Sequence, residues 1–90
     1  MTVLSRTVEM TNKRGLHARA SAKFVNLAAA LPSTIEVEKD GNKVCGTSIM
    51  GLMMLGAAMG DSVVLHVSGE GAAESIEQLA ALIEDRFGED

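Results

Sequence analysis

The chain of 90 residues has no tryptophan, no tyrosine and only two phenylalanines. Its core must therefore be packed from Val, Ile, Leu, Met and Ala, and the aromatic platforms on which single-stranded nucleic acids stack are missing. Positive charge is also scarce. Eight Lys and Arg against twelve Asp and Glu leave a formal net charge of −4, which argues against nucleic acid or an anionic membrane as the main partner. The lone cysteine, Cys45, cannot close an internal disulfide, which fits a reducing, cytoplasmic compartment. Cys45 also has no second Cys or His at metal-ligand spacing, so no metal site is expected. No apolar run nears the ~20 residues of a bilayer span, and no secretory leader is read at the N-terminus. No G-x-x-x-x-G-K-[ST] loop occurs, so no nucleotide cofactor is expected.

What remains is an apolar fraction of 47%, enough to fold residues 1–90 as one small domain around a single core. Arg6 to Thr11 alternates, with Val8 and Met10 on one face, as in a half-buried strand. Residues 18–31 then read as a helix, with Ala20, Phe24, Leu27 or Ala28, and Leu31 on one side and Pro32 ending it. Thr34–Glu38 alternates again, Asp40-Gly41 is a two-residue hairpin signal, and Lys43–Gly46 returns. Ile49–Leu55 follows as a short helix capped by Ser48 and stopped by Gly56. Ser62–Val67 reads as a strand with Val63, Leu65 and Val67 inward. The last helix starts near Ala72 and carries Ile76, Leu79, Ala80, Ile83 and Phe87 on one stripe. The order β-α-β-β-α-β-α suits an α+β fold, a four-stranded antiparallel sheet with three helices on one face and the other face wetter.

His17 is the most informative residue in this pattern. Gly15 breaks what precedes it and helix-favouring residues run on from Ala18, so the imidazole falls at a helix start. Unpaired backbone N–H groups and the positive end of the helix dipole converge there and favour an anion. A neutral imidazole with one lone pair free can attack phosphorus. The N–H groups of Ala18 and Arg19 would then meet the phosphoryl oxygens, and the Arg19 guanidinium would offset their charge. Lys13 and Arg14 lie just upstream, as steering charges for acidic partners or as ordinary loop charges. The other histidine, His66, alternates outward between Leu65 and Val67 and carries no such context.

Gly15-Leu-His-Ala-Arg19 with Ala22-Lys-Phe-Val25, and Ser48-Ile-Met-Gly-Leu-Met-Met-Leu-Gly56 further on, resemble the HPr family of phosphocarriers over essentially the whole chain. The resemblance implies an open-faced β-sandwich whose His17 takes a phosphoryl group from phospho-enzyme I and passes it to EIIA-type domains. It further implies control through phosphorylation of Ser48 by an HPr kinase/phosphorylase. Such a protein is a carrier in a relay and not an enzyme with turnover of its own. One position departs from the pattern: the proline that usually follows the H-x-R arginine is Ala20 here, which points toward a regulatory or nitrogen-linked phosphotransferase branch more than to sugar import. Leu55 with Ile49 or Leu52 should enter the core. Met50, Met53 and Met54, with Ile49, Ala18 and Ala22, should form an adaptable partner surface around His17. Two other readings are a regulatory binding protein acting mainly through phospho-Ser48 and a small α+β enzyme or metal module. Retention of both His17 and Arg19 weighs against the first as the sole role. The second lacks a paired catalytic base or a ligand cluster.

Overall fold

The computed structural model describes residues 2–89, and the elements follow the expected order. They are β1 (Val3–Glu9), α1 (Ala18–Ala30), β2 (Thr34–Lys39), β3 (Asn42–Cys45), α2 (Ile49–Met54), β4 (Ser62–Ser68) and α3 (Ala72–Glu84). The strands form one antiparallel sheet in the order β1-β4-β2-β3. The last strand in sequence is thus central, and its alternation is the sharpest in the chain: Val63, Leu65 and Val67 are fully buried. Ile35 and Val37 of β2 and Val8 of β1 extend this inward row, against which Phe24 and Ala28 of α1 and Ile76, Leu79 and Ile83 of α3 pack. The opposite face carries Ser5, Glu36, Glu38 and His66 and stays open. The fold is an open-faced β-sandwich.

Local chemistry accounts for most boundaries. Asp40 and Gly41 both have positive φ, 51° and 84°, so the β2–β3 hairpin closes through a turn whose twist matches that of the strands. Ser48 Oγ accepts the Gly51 N–H at 3.0 Å and caps α2, while Gly56, in the left-handed region, ends it.

Three sequence expectations need correction. β1 runs from Val3 to Glu9, not from Arg6 to Thr11. Its inward row upstream of Val8 includes Arg6, which hides the apolar stripe and instead reaches Glu77 (2.8 Å) and Glu84 (3.6 Å) on α3. Met10 is fully buried but lies beyond the strand, its backbone tied to Asp61 and Gly60. Phe87 is buried, but not as a fifth member of the α3 stripe: the helix ends at Glu84, and Phe87 is turned inward by a tight turn over Arg86–Gly88. Finally, the first two helices are each one residue shorter than read: α1 stops at Ala30 with Leu31 as its C-cap, and α2 at Met54 with Leu55 as its C-cap.

Candidate functional site

The loop from Asn12 to Leu16 delivers His17 to the head of α1. Gly15 has φ +60°, and a Cβ there would collide with the carbonyl of Ala57. The same carbonyl accepts the Leu16 N–H at 2.9 Å, so loop and neighbouring chain are locked at a place where only glycine fits. Fully buried Asn12 donates through Nδ2 to the Gly15 carbonyl at 2.8 Å and closes the loop on itself.

His17 is the N-cap of α1. Its backbone is extended (φ −77°, ψ −179°), and its Nδ1 accepts the Arg19 N–H at 3.1 Å. A nitrogen that accepts carries no proton, so the neutral ring is protonated at Nε2. That nitrogen lies 3.1 Å from both carboxylate oxygens of Glu89. The two ring nitrogens are thereby assigned: Nε2–H donates to Glu89, and Nδ1 turns its lone pair to the helix start. The sequence expectation placed the Arg19 N–H on a phosphoryl group. In the unphosphorylated chain it is engaged by Nδ1 itself, because an unpaired first-turn N–H takes the nearest acceptor. A group bonded to Nδ1 would sit where this N–H already points.

The cleft around the ring is lined by Lys13, Arg14, Arg19 and Lys23, together with Gly88 and Glu89. Four cations beside one carboxylate, in a chain of net charge −4, make this a concentrated positive region. The hydrogen bond from His17 holds the Glu89 carboxyl below the usual carboxylate range, with smaller contributions from Asn12 and Lys23. Lys23 also donates from Nζ to the Phe87 carbonyl at 2.7 Å and fastens the C-terminal turn to α1.

Beside this polar cleft lies an apolar surface. Met50 and Met54 are 69% and 80% exposed, Ile49 and Met53 about half as much, while Leu52 and Leu55 are buried. The alternatives for the core thus resolve to Leu52 with Leu55, and Ile49 joins the surface. Ala18 is exposed and Ala22 half-buried. Met59 is exposed as well, a residue the sequence pattern did not single out. Sequence reasoning also missed Glu89 and Lys23; no local pattern links His17 to a residue 72 positions away.

Two other residues lie apart from the cleft. His66 does point outward, where Nδ1 meets Ser5 Oγ at 2.9 Å and Nε2 meets Glu38 at 2.7 Å, knitting three strands on the open face. Cys45 is exposed, and its contact with Thr47 Oγ1 at 3.1 Å lowers the thiol pKa from its ordinary value. Among the described residues no helix is long and apolar enough to cross a membrane.

Comparison with known proteins identifies the family. Residues 4–85 match the family described as PTS HPr component phosphorylation site. The phosphocarrier protein HPr of Cupriavidus necator is 45% identical over 87 residues, 97% of this chain and 98% of that protein. HPr of Neisseria meningitidis is 46% identical with the same coverage. A crystal structure of HPr from Thermoanaerobacter tengcongensis superposes with a TM-score of 0.92 at 47% identity, covering 97% of this chain and 98% of that one. The chain belongs to the HPr family of phosphocarriers of the phosphotransferase system.

Proposed function

We propose that this protein accepts a phosphoryl group on His17 from phospho-enzyme I and passes it to EIIA-type domains, acting in the cytoplasm as a carrier without turnover of its own. The observation that carries the reading is His17 at the head of α1, with Nδ1 facing the unpaired end of the helix and a cleft lined by Lys13, Arg14, Arg19 and Lys23. In this reading the backbone N–H groups of Ala18 and Arg19 take phosphoryl oxygens, and the Arg19 guanidinium offsets their charge during transfer. The surface of Ala18, Ala22, Ile49, Met50, Met53 and Met54 seats donor and acceptor in turn, since flexible apolar side chains repack against unlike partners.

Ser48 is the proposed regulatory site, phosphorylated by an HPr kinase/phosphorylase. Nearly two added negative charges beside Met50 and Met53 would disturb docking on this apolar surface. Ala20 is fully buried in the first turn of α1 and keeps an N–H that proline would lack. Assignment to a regulatory or nitrogen-linked branch rests on the absence of the family's usual proline at this position.

The test is incubation with phosphoenolpyruvate and enzyme I, with intact mass read before and after mild acid. An acid-labile phosphoryl group that vanishes in His17→Ala is expected. No label, under conditions that phosphorylate a known carrier, would refute the reading. With ATP and HPr kinase, an acid-stable phosphate should appear and be lost in Ser48→Ala.

A further inference from the structure

The last described residues follow an unusual path. Arg86, Phe87 and Gly88 have φ of 56°, 56° and 74°, two successive non-glycine residues in the left-handed region followed by a glycine. Each of the first two disfavours this conformation sterically, so the turn persists only because its surroundings over-determine it. Three contacts do so. Phe87 is fully buried, Lys23 Nζ holds its carbonyl, and Glu89 places both carboxylate oxygens on His17 Nε2. Without the turn, a chain leaving α3 would carry Glu89 away from the head of α1. A strained segment that delivers one carboxylate to one imidazole is a functional arrangement more than a packing one.

We propose that Glu89 is a positioning residue for phosphoryl transfer at His17, fixing the ring in the Nε2–H tautomer and stabilising the positive ring that transfer creates. The proposal rests on the carrier reading above and deepens it. In the forward step the Nδ1 lone pair forms the bond to phosphorus, the bond between phosphorus and the donor breaks, and its electron pair leaves with the donor. No proton moves. Nε2 keeps its hydrogen, so the product ring carries a positive charge in addition to the phosphoryl group. Glu89 faces that charge directly, with Asn12 Nδ2 at 3.4 Å and Lys23 as its other neighbours. On the return step the same carboxylate holds the ring while phosphorus departs. A histidine fixed by a carboxylate on its second nitrogen is a recurrent way of setting tautomer and orientation together.

The test uses the full chain labelled with nitrogen-15 in its histidines, as wild type, Glu89→Ala and Glu89→Gln. In the wild type the ring-nitrogen shifts of His17 should report a single Nε2–H tautomer. In Glu89→Ala they should move toward the average of the two tautomers, with the melting temperature nearly unchanged. Transfer from phospho-enzyme I at saturating donor should slow about tenfold, while the half-saturating donor concentration stays within about twofold. Glu89→Gln, whose amide oxygen still accepts from Nε2–H, should restore the tautomer but only part of the rate. Wild-type shifts or a wild-type rate in Glu89→Ala would overturn the proposal. Failure of the wild type itself to take an acid-labile label would instead sink the carrier reading, and the nitrogen shifts separate these two failures.

Discussion

The two candidate phosphorylation sites are both helix N-caps, and the contrast between them is instructive. His17 and Ser48 each stand on extended backbone, and each accepts a backbone N–H from the first turn of its helix, Arg19 at 3.1 Å and Gly51 at 3.0 Å. Local physics is the same in both places; the surroundings differ. His17 is held from its other side by Glu89 and ringed by four cations. Ser48 opens a six-residue helix whose exposed side chains are Ile49 and three methionines. One cap opens onto a cleft whose cations would favour an added negative group. At the other, a charge would intrude on an exposed apolar surface.

This comparison can be broken one site at a time. Gly15→Ala should have the largest effect on the His17 side. Positive φ together with the collision against Ala57 should cost about 2–4 kcal/mol, read as a fall in chemical-denaturation midpoint, and the capping of α2 should survive at the lower stability. Ser48→Asp keeps a good cap and adds a charge, so the melting temperature should hold while transfer to His17 slows about tenfold, ~1.4 kcal/mol in barrier. Unchanged transfer would detach Ser48 from control of the relay. Ser48→Ala does the reverse, losing the cap without adding charge. It should cost ~1 kcal/mol, a drop of about 4–8 °C in melting temperature, with transfer preserved in protein that remains folded.

The smallest effect concerns acid. Because the Glu89 carboxyl is held below its ordinary pKa, chiefly by its hydrogen bond to His17, the folded state binds this proton less readily than the unfolded chain. The stabilisation is therefore complete above the ordinary carboxylate pKa and is lost as pH falls through the depressed value. The small difference in melting temperature expected between wild type and Glu89→Ala near neutral pH should close as the pH falls below the ordinary carboxylate range. A gap that persists at the acid end would show that Glu89 holds the turn independently of its charge, and no gap at any pH that Phe87 and Lys23 hold it alone.

Much of this was legible in the residue order. Val63, Leu65 and Val67 announced β4 because a strand buried on one face needs strict alternation. Asp40-Gly41 announced its hairpin because few other pairs tolerate positive φ twice. His17 and Ser48 could be placed at helix starts from glycine, capping and helix-former signals alone. What sequence could not reveal depends on the chain returning to itself. Arg6 interrupts an inward row because its partners Glu77 and Glu84 lie on a helix some 70 residues away. Phe87 fits the α3 stripe by count, yet reaches the core only after the helix has ended. Glu89 meets His17 through a backbone conformation that no propensity favours.

The placement of β4 has a kinetic consequence. β1 and β2 never pair with each other; each pairs with β4, the last strand to be made. A chain synthesised only to Asp61 has β1 with no strand beside it and the β2–β3 hairpin with both edges open. The sheet cannot be completed from either end, and loop closure over most of the chain precedes the contacts that reward it. Folding should therefore wait for residues 62–68 and then proceed as one cooperative event. That event also brings together the loop that carries His17 and the chain end that carries Glu89.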